Sequence, residues 1–401
     1  MQNLSGGIDI GSENHHVIIM NEEGVVVFDH KVRHTFEEFY AAIKKFKEIE
    51  EFSEGRISFA IEGKHGYGAP FDRILLEHGF RLYNIDNLKL KRFRDIFGAD
   101  WKNDQRDSKM LAKLLKLKDS LDTEDEEAFI EIEKPSIVSE KLKLLSRHQQ
   151  TLIDEKVSQQ NRLEKKLLEI CPGILEIGNM DSKKFLRILV KYPDFSEYKN
   201  LKLRSLEKIE MIGKTYAGTI HPRLVKIEYV KELSDVYRII IYSIAKNILD
   251  IKEQIDALDK MLDEIGQEVS AVKRITSIPG VGVKLSSRLI GEIDNIDKFK
   301  TERQLAVYCG ITCVENSSGK VEKAKLSYKS NKICKVTMVA MAGCSIRNIP
   351  ESGIYYAKKR AEGKSHNHAL RCLARQIVKV IFKMLKEDRD YVIKDKIKKA
   401  A

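Results

Sequence analysis

Short apolar segments alternate with amphipathic ones over residues 1–120, which is the pattern of a mixed α/β sheet. Runs of branched apolar residues predict strands, and apolar positions three or four residues apart predict helices. The first three strands follow one another with only short turns between them, so they predict a meander that continues into βα units. The predicted strands are 6–11, 16–20, 25–32, 57–62 and 81–85, and the predicted helices are 36–46, 69–78, 88–96 and 105–115.

The central part of the chain is predicted to be helical. From Ile241 to Val272 apolar residues recur at alternating spacings of three and four, over about five heptads, which is typical of a coiled-coil seam. The earlier segment 142–170 has the same register with polar interruptions. Two arrangements are open: an antiparallel hairpin of the two segments, or pairing of the seam with a second copy of the chain. Residues 171–235 predict an inserted small helical subdomain.

The remaining segments complete the predicted organisation. The acidic run 123–133 has the composition of a solvated linker. We expect three parts, in keeping with a length of 401 residues. These are an α/β domain over 1–120, a helical and coiled-coil dimerisation region over 121–272, and an all-α domain over 273–401.

Charge narrows the class of partner. The chain has 71 Lys and Arg against 60 Asp and Glu, a net charge of +11, which favours a polyanion such as nucleic acid or an acidic membrane surface. No apolar run approaches the roughly 18 residues of a membrane span, and the N-terminal segment lacks the basic and apolar regions of a signal peptide. A cytoplasmic protein is therefore expected, with its six cysteines as buried thiols.

Four acidic residues carry the candidate chemistry. Asp9 lies inside the first predicted strand, where a charge is costly unless it binds something, and Glu62 ends the fourth. Asp104 and Asp107 lie three apart at the start of a predicted helix, hence on one face, although Asp104 also suits a helix N-cap. If the first and fourth strands are neighbours, these acids converge. Carboxylate oxygens suit Mg²⁺, and two such ions can clamp a phosphodiester during displacement.

A second feature concerns the segment 276–282, TSIPGVG. A Pro-Gly-x-Gly turn before a helix exposes backbone N–H groups that suit a phosphate, as in helix-hairpin-helix contacts with DNA. Gly280, Gly282 and Lys284 are the predicted contact residues. The alternative is a tight interhelical turn without a ligand.

The sequence resembles the DEDD transposases of the insertion sequence 110 family and the related Piv-type DNA invertases. The resemblance rests on Asp9 in GIDIG, Glu62 in IEGKHGYG, and Asp104 and Asp107 in NDQRD. It continues in SIPGVG, LAVYCGITCVENSSGK, KSNKICKVTMVAMAG and the long helical segment 355–385. It covers nearly the whole chain apart from 171–235.

The resemblance implies a fold and a metal site for the N-terminal domain. Members of the family have a domain similar to RuvC, with a ribonuclease H-like fold. It implies that Asp9, Glu62, Asp104 and Asp107 are catalytic ligands of Mg²⁺, or of Mn²⁺, with one or two ions in each site.

The resemblance also implies a serine nucleophile in the C-terminal domain. In the family this serine directly precedes a glycine after a Gly-[Leu/Ile]-Thr segment, and the position corresponds to Ser318, with Ser317 as its rival. The family usually has Pro after that Thr, whereas this chain has Cys313. The product implied is a covalent phosphoserine link to DNA that conserves the phosphodiester for rejoining.

The partners implied are donor DNA, target DNA and a structured bridge RNA, without a membrane. The family's sites are composed from two subunits, which implies a homodimer or a dimer of dimers. The enzyme is expected to act at a prokaryotic nucleoid. Lys64, Lys320, Lys329 and Lys332 are the predicted phosphate contacts.

Two other functions remain compatible with these residues. One is a metal-dependent junction endonuclease that uses water, with Ser318 as an ordinary loop residue. The other is an architectural DNA-binding protein without catalysis, which the four acids argue against.

Overall fold

A computed structural model describes residues 3–63, 66–85, 87–96, 104–120, 129–134, 136–318, 321–326 and 330–392. The chain separates into two compact units, Met1–Pro135 and Ser136–Ala401.

The first unit contains one mixed sheet and four helices. The strands are β1 (Asn3–Ile10), β2 (Asn14–Met20), β3 (Val26–Arg33), β4 (Arg56–Glu62), β5 (Arg81–Ile85) and β6 (Phe129–Glu131), and the helices are α1 (Phe36–Ser53), α2 (Ala69–Glu77), α3 (Asn87–Ile96) and α4 (Asp104–Ser120). The strand order is β3-β2-β1-β4-β5-β6. The first three strands are antiparallel, whereas β4 runs parallel to β1 and β5 parallel to β4. All five strands and four helices predicted from the sequence are confirmed.

Helices cover both faces of this sheet. On one face α1 and α2 bury an aromatic core, in which the ring of Phe46 lies 5.1 Å from that of Phe59 on β4. On the other face α4 packs Leu111 and Leu115 against Ala60 of the same strand. Successive side chains of a strand point to opposite faces, so even-numbered residues of β4 face α4 and odd-numbered ones face α1 and α2.

One expectation for this unit was wrong. The acidic run is not only a linker, because β6 within it pairs antiparallel with β5.

Two histidines of β2 are buried. Strand β3 pairs along the outer side of β2, and both His15 and His16 are covered. Burial, together with the nearby His34, lowers the pKa of His15 to about 4.

The second unit is mostly helical, but the prediction of an all-α C-terminal domain was wrong. The segment 313–326 forms an antiparallel two-stranded hairpin. This segment is mostly polar, and the pairing of its two strands, from Cys313 with Leu326 to Ser318 with Val321, is what makes it a hairpin. The helices are α5 (Ile137–Ile170), α6 (Lys183–Lys191), α7 (Leu203–Glu207), α8 (Lys214–Leu224), α9 (Ser234–Glu268), α10 (Ser270–Thr276), α11 (Val283–Ile293), α12 (Glu302–Tyr308), α13 (Lys332–Asn348), α14 (Pro350–Ala361) and α15 (His366–Lys386), and the strands are β7 (Cys313–Ser318) and β8 (Val321–Leu326).

The two longest helices, α5 and α9, pack against each other within one chain. They are antiparallel, since Tyr237 near the start of α9 donates to Glu169 near the end of α5, and Gln149 of α5 donates to Asp259 of α9. Ile241, Ile248 and Leu262 of the predicted seam are buried. The first of the two predicted arrangements is therefore present.

Residues 171–235 form short helices at one end of the α5–α9 pair. Phe185, Tyr198 and Leu206 from this segment share a core with Leu167 of α5 and Ile244 of α9. The segment therefore has no separate core but extends that of the two long helices.

None of the helices in the described part of the chain is both long and apolar enough to cross a bilayer.

Candidate active site

The ends of β1 and β4 bring two of the predicted acids together. Ile8 pairs in parallel register with Ile61, and one residue further this register sets Asp9 beside Glu62. Asp9 lies two residues after Gly7, and Glu62 lies two residues after Ala60. Both Gly7 and Ala60 face α4. Asp9 and Glu62 therefore share the α4 face at the carboxyl ends of neighbouring strands, and both are partly buried.

Helix α4 lies against β1 at backbone contact distance. A Cβ atom at Gly7 would stand 1.9 Å from the carbonyl oxygen of Ser108 and 2.6 Å from the backbone nitrogen of Ala112, so only glycine permits this approach. The Ser108 hydroxyl donates to the carbonyl oxygen of His16 on β2 at 2.8 Å. These contacts fix the first turn of α4 over the strand that carries Asp9.

The first turn of α4 supplies the other two acids. Asp107 precedes Ser108 and is 5% exposed, whereas Asp104 begins the helix and is exposed. The carbonyl oxygen of Asp104 accepts a hydrogen bond from the Ser108 hydroxyl at 2.8 Å. Of this pair, Asp107 is therefore the acid held against the sheet.

A fifth carboxylate, that of Asp29 on β3, joins β2 to α4. It accepts from Nε2 of His16 at 2.7 Å and from Nε2 of Gln105 at 2.5 Å. Burial acts to raise the pKa of Asp29, but the hydrogen bonds from His16 and Gln105 outweigh it and lower the pKa below its ordinary value. Asp29 thus accepts these bonds as an anion at neutral pH.

The four predicted acids fit a divalent cation by donor chemistry, since Mg²⁺ takes carboxylate oxygens, and by the backbone positions they occupy, two at neighbouring strand ends and two at the start of α4. Among the described residues, however, no three His, Cys, Asp or Glu side chains form a group that could enclose an ion. The acids therefore suit a divalent cation by the chemistry of their oxygens and by the positions of their backbone.

Ser318 is the last residue of β7, where it pairs with Val321 of β8. It belongs to the second unit, whereas the acids belong to the first. Gly319, Lys320 and Lys329, together with Lys64 of the first unit, lie outside the described residues. The predicted nucleophile is thus the final residue of the first strand of the hairpin.

A buried carboxylate anchors the base of this hairpin. Glu292 of α11 has a fully buried side chain and accepts from Nε and Nη2 of Arg147 at 2.7 and 2.9 Å. It also accepts from Nδ2 of Asn331 at 2.6 Å. The backbone N–H of Asn331 donates to the carbonyl oxygen of Tyr308 at 2.7 Å, which closes the base. Burial alone would raise the pKa of Glu292, but these partners lower it.

The predicted phosphate contacts of the Pro-Gly-x-Gly turn have protein partners nearby. Lys284 donates to Asp259 of α9 at 2.7 Å. Gly280 has a φ of +84°, and a Cβ there would stand 2.2 Å from the side-chain amide of Asn348. Gly282 is the N-cap of α11, and Lys332 is exposed at the start of α13. Phosphate contact by these residues stays a prediction.

Sequence reasoning missed two features near the acids, the contacts of Asp29 and the close approach of α4 at Gly7. Asp29 looks like an ordinary strand acid, and its contact with Gln105 spans 76 residues of sequence. Gly7 offered a local signal, because a glycine inside an apolar strand often marks a close backbone approach.

Two family models match the chain. A DEDD transposase model of the IS110 type, described as "Transposase", matches residues 6–172. A model described as "Transposase IS116/IS110/IS902 family" matches residues 272–357. The first match includes the four acids and the second includes Ser318, and together they cover more than half of the chain. They identify the class of the protein, a transposase.

Curated relatives extend this match to almost the full length. The chain is 23% identical to the 43.6 kDa protein of insertion element IS110 from Streptomyces coelicolor, over 96% of this chain and 94% of that protein. It is 22% identical to the 44.8 kDa protein of insertion element IS116 from Streptomyces clavuligerus, over the same shares. It is 23% identical over 36% of its length to the transposase of insertion sequence IS1111A from Coxiella burnetii, of which it covers 41%. The chain belongs to the IS110 family of transposases, enzymes that cut and rejoin DNA.

Proposed function

We propose that this transposase cuts and rejoins DNA by metal-dependent phosphoryl transfer, with Ser318 as the nucleophile and a bridge RNA as the guide. The observation that carries the proposal is the convergence of Asp9 and Glu62 on the face covered by the acid-bearing end of α4. The strand order, with an antiparallel meander followed by parallel strands, supports the RuvC-like assignment of this unit.

In this proposal Asp9, Glu62, Asp104 and Asp107 hold one or two divalent cations, Mg²⁺ or Mn²⁺. A cation held there supplies stabilisation of the charge that develops on the phosphodiester oxygens. The protein supplies the placement: β1 and β4 fix Asp9 and Glu62, and the contact of α4 with Gly7 fixes Asp107.

Ser318 would perform the covalent step. Its Oγ atom attacks phosphorus, and the Oγ–P bond forms while the bond from phosphorus to one deoxyribose oxygen breaks. The hydroxyl proton leaves to a base, and the departing deoxyribose oxygen takes up a proton. The number of phosphate ester bonds is unchanged, so attack by a new deoxyribose hydroxyl on phosphoserine reverses the step without an external energy source. A serine hydroxyl requires activation for this reaction at neutral pH.

The acids and the serine belong to different units, and the family resemblance implies sites composed from two subunits. We propose that acids of one subunit meet the serine of another in a homodimer or a dimer of dimers, with the α5–α9 region as the dimerising part. Lys64, Lys320, Lys329 and Lys332 would bind phosphates of donor DNA, target DNA or bridge RNA, with Gly280, Gly282 and Lys284 as further contacts. Such an enzyme would act at a prokaryotic nucleoid.

The test is a cleavage assay on a supercoiled plasmid that carries the element ends, with the element's non-coding RNA and Mg²⁺. Wild-type protein should form a covalent protein–DNA adduct that survives denaturation, and Ser318→Ala should abolish it. Ser317→Ala is the matched control, which should retain the adduct. Undiminished cleavage by Ser318→Ala would favour the water-using endonuclease. Absence of cleavage by wild type with all nucleic acids supplied would favour the architectural protein.

A further inference from the structure

We infer that Asp29 is a positioning residue of the acidic site, and that it acts by joining His16 of β2 to Gln105 of α4. This inference rests on the proposed function, because it concerns the same metal site. Asp29 lies on the edge strand β3 and was not among the residues that the family motif assigns.

One end of the link lies beside Asp9. His16 is the direct cross-strand partner of Asp9 in the antiparallel register of β1 and β2, and cross-strand partners on one face have neighbouring side chains. Only 8% of the His16 side chain is exposed. Its Nε2 atom lies 2.7 Å from Oδ1 of Asp29. Because a carboxylate can only accept, Nε2 carries the proton and the ring orientation is fixed.

The other end of the link lies in the acid-bearing turn of α4. The second carboxylate oxygen of Asp29 accepts from Nε2 of Gln105 at 2.5 Å, and Gln105 stands between Asp104 and Asp107. The same turn is bound a second time to His16, whose carbonyl oxygen accepts from the Ser108 hydroxyl. His16 and Asp29 thus connect both sources of acids, the end of β1 and the start of α4.

This arrangement has the properties of an outer shell of a metal site. Such residues do not bind the ion but hold its ligands in place, and their loss typically weakens metal binding by 10- to 100-fold. Lys109 of α4 also favours the ionised form of Asp29. Nδ1 of His16 is buried and has no hydrogen-bond partner in the part of the chain that the structure describes, which is consistent with a polar ligand near this histidine.

The experiment measures metal binding instead of catalysis. The melting temperature of the full-length protein is followed against MgCl₂ and MnCl₂, and Mn²⁺ binding is titrated by calorimetry. A ligand that binds only the folded state raises the melting temperature with its concentration. Asp29→Asn should shift the metal midpoint upward by about 10-fold or more. Gln105→Leu should raise the metal midpoint in the same way. The double variant should bind metal as well as the weaker-binding single variant does, because both substitutions break the same link.

Glu22→Gln is the matched control. Glu22 is in the same unit and accepts from the backbone N–H of Asn3 at 2.7 Å, so its substitution removes one carboxylate at the opposite end of β1 from Asp9. It should leave the metal midpoint unchanged. Asp9→Ala should abolish the metal-dependent shift.

The outcomes separate the inference from the proposed function. If Asp9→Ala abolishes the shift but Asp29→Asn keeps the wild-type midpoint, Asp29 has no positioning role, even if the variant melts lower without metal. If metal does not raise the melting temperature of the wild type, or raises that of Asp9→Ala equally, there is no metal site at these acids. Both the proposed function and the positioning role of Asp29 are then refuted.

Discussion

The close approach of α4 to β1 gives the sharpest prediction, which is tested by Gly7→Ala. The added Cβ would lie 1.9 Å from the Ser108 carbonyl oxygen, about 1.5 Å short of the ordinary contact of 3.4 Å. Its neighbours are helix backbone atoms, which cannot rotate away as a side chain can. The helix must therefore move off the sheet, together with Asp107.

The magnitude follows from this displacement. Overpacking a core typically costs 1–3 kcal/mol, and the rigid backbone places this variant at the upper end, about 3 kcal/mol. For a unit of this size the melting temperature should fall by roughly 10 °C. A shift of about 1 Å in positioned groups can reduce a rate on the order of 100-fold. We expect DNA cleavage to fall by that factor and the metal midpoint to rise.

Gly6→Ala is the control on the opposite face of the same strand. Its Cβ would stand 2.3 Å from the ring of Phe59, so it should destabilise the unit while leaving α4 in place. Thermal melts, metal titration and the cleavage assay are run on both variants. If Gly7→Ala kept the wild-type metal midpoint and cleavage rate, the contact of α4 with β1 would not position the acids, and the reasoning would be refuted.

Three further predictions concern other parts of the molecule. Burial raises the pKa of Asp72 from 3.8 to about 7, so between these values the folded unit holds a proton that the unfolded chain has released, and stability falls as pH rises. Between pH 5 and pH 8 this loss should be about 3 kcal/mol, and Asp72→Asn should remove it when urea unfolding at the two pH values is compared; an unchanged pH dependence would contradict it. Arg147→Ala should destabilise the second unit by about 3 kcal/mol, because Glu292 stays buried and charged, and adding Glu292→Gln should recover part of this; a double variant less stable than the single one would refute it. A mixture of Asp107→Ala and Ser318→Ala proteins should form the DNA adduct that neither forms alone, and its absence would place acids and serine in one subunit.

Local patterns predicted the elements that contain the acids. Apolar and branched residues in short runs predicted β1 and β4. If these two strands are neighbours, their carboxyl ends meet at one edge of the sheet. The convergence of Asp9 and Glu62 was therefore predictable from sequence, since register propagates along neighbouring strands.

Features that depend on distant partners were not predictable in this way. The segment of β6 is acidic, and only its pairing with β5 makes it a strand. The β7–β8 hairpin lies in a mostly polar segment that was expected to be a loop of an all-α domain, and only the pairing of its two strands identifies them. Asp29 and Glu292 are single carboxylates whose partners, Gln105 and Arg147, lie 76 and 145 residues away in sequence. No local signal identifies such pairs, because their contacts exist only after the chain has folded.

The most direct measurement of the central claim is the identity of the residue that carries DNA after cleavage. The covalent adduct, trapped in the reaction with Mg²⁺ and RNA, is digested with protease and nuclease and analysed by peptide mass spectrometry. The account predicts a nucleotide attached through phosphate to Ser318, and none on Ser317. A nucleotide on any other residue, or cleaved DNA ends that carry no protein, would contradict it.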